Sequence, residues 1–406
     1  MTKADRAKPT IGQSPGQAAA SLPAVTGSGR DLLVVGAGIM GLWAALKAAR
    51  RGLTVTLIDA GQIGLGTSGG LLGALMAHMP DNWNPKKQFQ FDALVSLETE
   101  IAALEAETGL SAGYRRCGRL IPLYKDHAHA AALRHQSQAS THWQSGDRHF
   151  AWNVVAQAPV SGYPVAEAGS HGFVLDTLAG RVAPRRLIAA LAARLHSLES
   201  VTIRTHCRLE SLDPQAGHAV VDNGERIAFG HAIVAAGCGA FPLLDPFSGA
   251  QQSLGKGVKG QAALLQAEID PTLPLIFSNG LYVVPHEGGH VAIGSTSEAV
   301  FDAPLSTDDR LDALIADARA LVPALGRAAV VERWAGLRPK PAGRDPMVGR
   351  HPDHPRLVAL AGGFKVSFGI AHRLADAALA DILGEPMDLP DSFRFARHLE
   401  AISRKA

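Results

Sequence analysis

From Asp31 onward the chain alternates short apolar runs with stretches of helical spacing. Leu32-Leu33-Val34-Val35 has no polar position, the pattern of a strand buried on both faces of a parallel sheet. Leu42 to Arg51 then reads as a helix closed by Gly52, and Leu53 to Ile58 as a second strand ending at Asp59. Leu94, Leu97, Ile101 and Leu104 fall on one helical face, stopped by Gly109. Pro184 stands at the first turn of a helix carrying Leu187, Leu191 and Leu195. Asp222-Asn223-Gly224 predicts a hairpin turn, and His231 to Val234 an apolar strand running into Ala235-Ala236-Gly237. A second hairpin is predicted at Glu287-Gly288-Gly289, between a strand through Tyr282 and one from His290 to Gly294. A helix from about Ile370 to Leu383 is stopped by Gly384. Strands alternating with helices, with hairpins between, predict an α/β architecture.

Composition narrows this picture. Hydrophobic residues at 47% and charged residues at 19% describe a globular chain, and 406 residues can bury more than one domain's core. A net charge of +2 gives no basic surface for nucleic acid. Cys117, Cys207 and Cys238 share no close spacing, so no metal knuckle, redox pair or disulfide framework is predicted, and a reducing, cytoplasmic location is expected. Residues 1–29 are rich in Ala, Ser, Pro, Gly and Gln without an apolar core, and are expected to be a disordered tail. No apolar run is long enough to predict a membrane span.

Candidate chemistry begins where the first strand ends, at Gly36-Ala37-Gly38-Ile39-Met40-Gly41. Gly36 permits the tight strand-to-helix turn, and Gly38 lets backbone N–H groups approach a pyrophosphate. Gly41 allows close packing of helix on strand, and the helix N-terminus offers partial positive charge to phosphate. Asp59, about twenty residues on, is placed to accept from a ribose hydroxyl. This is a dinucleotide-binding fingerprint, which does not choose between NAD and FAD. The stretch Gly64 to Ala74 is too long and too glycine-rich for a simple turn, and suits backbone lying against a cofactor.

With these segments the sequence resembles the D-amino-acid oxidase and glycine oxidase family of flavoenzymes, which includes monomeric sarcosine oxidase. The resemblance runs from Asp31 to about Pro386. It rests on the fingerprint, Thr67-Ser68 to Gly73, Val258-Lys259-Gly260-Gln261, Trp334-Ala335-Gly336-Leu337-Arg338-Pro339, Gly343 to Gly349, and Gly362-Gly363-Phe364-Lys365. It implies a Rossmann-like FAD-binding domain from residues 30–109, 173–250 and 334–390. Interleaved with it would be a substrate domain on an antiparallel sheet, from 110–172 and 251–333, with 391–406 as a C-terminal tail.

The resemblance also implies site residues. FAD would be held by Gly36, Gly38, Ile39, Met40, Gly41, Asp59, Thr67, Ser68, Gly70, Leu71, Leu72, Ala236, Gly237, Gly363, Phe364, Val366 and Ser367, with the Leu209 backbone at the adenine. Arg338 matches the arginine that binds substrate carboxylate, and Tyr282 the tyrosine beside it. Lys365 matches a carboxylate-binding lysine of sarcosine oxidase; its ammonium either enters the pocket or points to solvent while its backbone binds flavin. The helix that follows would aim its N-terminus at the flavin's pyrimidine edge. A cysteine that tethers the flavin in sarcosine oxidase would align near Gly336, so non-covalent FAD is expected.

The implied activity is oxidation of the C–N bond of a small amino acid or N-alkyl amino acid by hydride transfer to flavin N5, giving an imine that hydrolyses. Oxygen is the expected acceptor. The alternative is a flavin subunit of a dehydrogenase complex, passing electrons to a quinone or another flavoprotein. Oligomeric state, substrate side chain and chirality stay open. The loop His78 to Asn84 has no clear family counterpart and either reaches the pocket or is surface, and none of the 17 histidines is assigned chemistry.

Overall fold

The computed structural model describes residues 30–404, so the expected disordered tail over 1–29 lies outside the described residues. The strand Arg30–Val35 pairs in parallel with Val55–Ile58 on one side and Arg226–Val234 on the other. Val201–Arg204 and Leu357–Ala361 extend this parallel core at its two flanks. Leu357–Ala361 is apolar and buried at every position, as a strand covered on both faces must be. Arg226–Val234 outruns its parallel partners, and its first half turns back at the Asp222–Gly224 hairpin to pair with His218–Val221, then Leu209–Asp213.

Helix α1 (Ile39–Arg50) fills the space above this sheet and is buried on almost every side, which its alanines permit. α2 (Pro85–Thr108) is N-capped by Asn84, whose side chain accepts from Lys86 N and Lys87 N, and is closed by Gly109 at φ 68°. α3 (Asp126–His142) lies against the strand Trp152–Val155. α4 (Pro184–His196) starts with Pro184 at its first turn, as predicted, and buries Leu187, Leu191 and Leu195. After the short α5 (Ala240–Leu244) come α6 (Asp309–Leu321), α7 (Ser367–Leu383) and α8 (Phe395–Ser403). α7 begins three residues before the predicted start and ends at Gly384, φ 71°.

The second sheet runs in the order Ala329–Pro341, Gly255–Gln266, His290–Gly294, Leu281–His286, Leu275–Ser278, Arg119–Pro122, Phe173–Asp176 and Trp152–Val155. It is antiparallel except where Leu275–Ser278 meets Arg119–Pro122. α6 covers one face through Leu311, Ile315 and Ala318, packed with Val283 and Ile293 in a single apolar cluster.

Three boundaries differ from the expected division. Phe173–Asp176 hydrogen-bonds to Arg119–Pro122 and Trp152–Val155, so it belongs to the second sheet, not with the dinucleotide-binding segments. Residues 334–341 likewise continue a strand of the second sheet, paired with Gly255–Gln266 to its end. Residues 391–406, expected as a tail, contain α8, whose Phe395, Leu399 and Ile402 are buried against Met347 and Leu357.

Candidate active site

A cleft of about 740 Å³ opens at the C-terminal ends of the parallel strands and is closed on its other side by the second sheet. Val35, Ile58 and Ala235 mark the first wall; Ala262, Tyr282, Trp334 and Arg338 mark the second.

The glycine turn has the shape the fingerprint predicts. Gly36 stands at φ +106°, and a Cβ there would lie 2.7 Å from Ala235 O. A Cβ on Gly41 would lie 1.8 Å from Gly36 O, so helix and turn are in direct contact. The N-terminus of α1, at Gly38, has no side-chain cap and no acid in its first turn, leaving its positive end open to an anion. Ile39 N donates to Ser68 Oγ at 3.0 Å, which ties the second glycine-rich stretch to the first. Asp59 lines the cleft and has a second part that its spacing does not reveal. Its carboxylate accepts from Ala37 N at 2.7 Å and Gly61 N at 2.8 Å, so it braces the turn.

Of the remaining expected cofactor residues, Gly38, Ile39, Met40, Thr67, Ser68, Gly70, Leu71 and Leu72 all line the cleft. So do Leu209, Ala236, Gly237, Phe364, Val366 and Ser367. Gly41 and Gly363 sit one layer back. A Cβ on Gly363 would fall 2.3 Å from Met40 Cε and 2.4 Å from Ser367 Oγ, so its part is packing beneath the wall. Phe364 takes φ +46°, a conformation uncommon for a bulky side chain, and turns the chain from the last parallel strand into α7. The uncapped first turn of α7 faces the cleft through Val366, Ser367 and Phe368, with no acid in that turn.

The three expected substrate residues meet at one end of this cleft. Arg338 donates through Nη1 to Thr296 O at 3.0 Å. Burial pulls its pKa below the ordinary value, against the opposing influence of Tyr282 and Glu298. Burial also pushes the Tyr282 phenol up, against Arg119 and Arg338, so it stays protonated. Lys365 lines the cleft while keeping an exposed side chain, its Nζ 5.6 Å from the centre of the Phe364 ring. Its pKa is lowered by burial and by the charges of Arg338 and Lys340. The charges acting on Lys365, those of Arg338 and Lys340, are both positive, while Glu298 acts on Arg338 from behind the cleft wall.

Several lining residues carry no motif of their own in the sequence. Trp334 stands over Gly70 and Gly336; a Cβ on Gly70 would touch its ring at 3.4 Å. Its place at the head of the Trp334–Pro339 segment, four residues before Arg338, is the signal that could have found it. Met76, His78, Gln90 and Leu94 also line the cleft, with Met76 Sδ 3.6 Å from Nη1 of Arg119, whose charge acts on Tyr282. His78 N donates to Gln90 Oε1 at 2.9 Å, and Gln90 Nε2 to Met76 O at 3.1 Å, so α2 fixes this segment. Of the His78–Asn84 loop only His78 lines the cleft; burial and the Lys87 charge keep it neutral. Of the rest, Pro80 is buried, Met79 and Trp83 pack against the core, and Asn82 and Asn84 are exposed; Trp83 stacks on His142 at 4.8 Å and Lys87 Nζ donates to Met79 O at 2.9 Å. Among the described residues no cluster of His, Cys, Asp and Glu could hold a metal, and no helix is long and apolar enough to cross a membrane.

The glycine turn, the uncapped helix ends and Asp59 fit an adenine dinucleotide, and the same cleft is lined by Arg338, Tyr282 and Lys365. Comparison with known proteins agrees. Residues 31–377 match the family described as DAO, FAD dependent oxidoreductase. A glycine oxidase of Pseudomonas putida is 26% identical over 339 residues, covering 83% of this chain and 90% of its own. The crystal structure of glycine oxidase from Geobacillus kaustophilus superimposes with a TM-score of 0.79 at 22% identity, over 91% of this chain and 99% of that one. Iminodiacetate oxidase from Chelativorans sp. BNC1 gives 0.76 at 21% identity, over 89% and 98%. The chain belongs to the DAO family of FAD-dependent oxidoreductases.

Proposed function

We propose that the protein oxidises the C–N bond of a small amino acid or N-alkyl amino acid, with Arg338, Tyr282 and Lys365 gripping the substrate's carboxylate. The observation that carries this is that two cations close enough to act on one another, Arg338 and Lys365, line one cleft together with the Tyr282 phenol. A guanidinium fork offers two parallel donors to a carboxylate, and the protonated Tyr282 adds a third. Bound FAD supplies the acceptor for the two electrons and hydrogen leaving the substrate carbon. The chain's own residues orient the carboxylate so that the adjacent C–H faces the cofactor, while Trp334, Leu71 and Leu72 exclude water. The uncapped α7 N-terminus stabilises negative charge gathering near it during reduction. The resulting imine is hydrolysed by water.

FAD is bound without a covalent tether. Gly336 stands near the position where sarcosine oxidase carries its tethering cysteine. Cys238, whose Sγ lies 3.4 Å from Leu337 O, has its thiol pushed up to about 11 by burial and is a poor nucleophile. Acid precipitation is expected to release the yellow colour into the supernatant.

The reading is tested by anaerobic bleaching of the holoprotein with glycine, sarcosine, D- and L-amino acids and their decarboxylated amines. Reduction by the acids and not by the amines is the expected result; bleaching by the amines alone would overturn the clamp. Arg338→Ala is expected to raise KM for a carboxylate substrate on the order of 10- to 100-fold, the loss of a charge-assisted bidentate contact. Oxygen is the proposed electron acceptor, and oxygen uptake by the isolated chain separates this from the dehydrogenase-subunit alternative.

A further inference from the structure

The segment Val258-Lys259-Gly260-Gln261 has no part in the clamp just described, yet it is buried along its whole length beneath it. Arg338 pairs directly with Val258 across the two long strands, so side-chain alternation puts Arg338, Val258 and Gly260 on the cleft face. Lys259 and Gln261 point to the other face. Gly260 lies directly under the guanidinium: a Cβ there would fall 2.1 Å from both Arg338 Nη1 and Nη2 and 2.2 Å from Cζ. The planar group therefore rests on bare backbone.

On the opposite face Gln261, fully buried, ties down the segment that supplies the arginine's acceptor. Its Nε2 donates to Glu298 Oε1 at 2.9 Å and Asp308 Oδ1 at 2.8 Å, and its Oε1 accepts from Asp308 N at 2.8 Å. Its backbone N donates to Thr296 Oγ1 at 2.9 Å, and the Thr296 hydroxyl in turn donates to Glu298. Lys259 lies 3.6 Å from Glu298 and 3.3 Å from Asp308, and Arg310 closes the ring at 2.6 Å from Glu298. Burial works against the Glu298 charge, but the hydrogen bonds from Thr296 and Gln261 with the Lys259 charge hold its pKa below the ordinary value. The outcome of this lattice is a fixed Thr296 carbonyl, which receives Arg338 Nη1.

We propose that Lys259, Gly260 and Gln261 form a seat that positions Arg338: Gly260 by leaving room for the guanidinium, Lys259 and Gln261 by anchoring Thr296 through Glu298 and Asp308. These are positioning residues, acting on substrate only through Arg338, and the inference rests on Arg338 being the carboxylate clamp. A buried polar network of this kind fixes one geometry because every alternative leaves some member unpaired.

Gly260→Ala tests it in the holoprotein. The three atoms nearest the new methyl all belong to the tip of the Arg338 side chain, so the guanidinium must shift while the fold is expected to be retained. KM for a carboxylate-bearing amine is expected to rise on the order of 10-fold with kcat nearly unchanged. Acetate, titrated against the flavin spectrum, should bind correspondingly more weakly. In an Arg338→Ala background the same substitution should have no further effect. Gln261→Leu should reproduce the KM effect without touching the cleft face, and Gln261→Asn should keep part of the function. An undiminished Gly260→Ala effect in the Arg338→Ala background, or unchanged acetate binding in both Gly260→Ala and Gln261→Leu, overturns the seat. Unchanged acetate binding in Arg338→Ala alone overturns the clamp instead, so the two failures are told apart.

Discussion

Gly41 shows how little room the dinucleotide turn allows a single residue. With 1.8 Å between its virtual Cβ and Gly36 O, Gly41→Ala cannot be absorbed by a side-chain rotation, because the obstacle is backbone. The substitution is expected to separate α1 from the turn, with FAD lost on gel filtration and a lower melting temperature even for apoprotein. Retention of a full complement of FAD would contradict this. Gly260 differs, since there the obstacle is a flexible side-chain tip. Gly36, Gly38, Gly41 and Asp59 were legible from sequence because a local spacing encodes their geometry. The role of Gly260 was not legible in that way. Its neighbour Arg338 comes to it only through strand pairing, which sequence spacing does not report.

Among the elements, α7 links the cleft to the core. Its first turn faces the cofactor cleft, while His372 one turn later is buried against Trp43 of α1 and within 3.0 Å of Ser96 Oγ on α2. Burial, with the Lys47 and Arg373 charges, lowers the His372 pKa to about 3. In the second sheet burial and Arg181 lower His286 to about 4, with its Nε2 against Leu72 O at 3.1 Å. Both are neutral in the fold and titrate near 6.5 when unfolded. Their contribution to stability is therefore complete above about pH 6.5 and is lost as the pH falls from there towards about 4. Each costs about 1.4 kcal/mol per pH unit in that window. Melting temperature should fall between about pH 7 and pH 5, and His372→Phe should flatten that slope; an unchanged slope would refute the assignment. α2 and α7 were readable from apolar spacing and their stops at Gly109 and Gly384, whereas α3 and α6 were not predicted. Membership of Phe173–Asp176 was not, because a short apolar strand does not name its partners.

At the scale of the whole molecule the fold class and FAD as the cofactor were legible because several ordered motifs span the chain. The amphipathic α8 was missed because it is short and follows the last of them. What no local pattern conveys is the pair of long strands, Gly255–Gln266 and Ala329–Pro341, hydrogen-bonded along their whole length. At one end a Cβ on Gly255 would meet the Phe241 ring at 2.4 Å, in the core beside the parallel sheet; at the other, Ala263 and Leu265 are buried with α6. One continuous ribbon thus threads both cores, and the two walls of the cleft cannot swing apart without breaking it. We expect substrate exchange to be gated by side chains that line the cleft, Met76 and His78 among them, in place of hinge opening. Hydrogen–deuterium exchange should find the ribbon amides equally protected with and without a carboxylate ligand, and the change confined to residues 76–84. A protein built this way trades the tight enclosure of a closing hinge for a site that is already assembled when the substrate arrives.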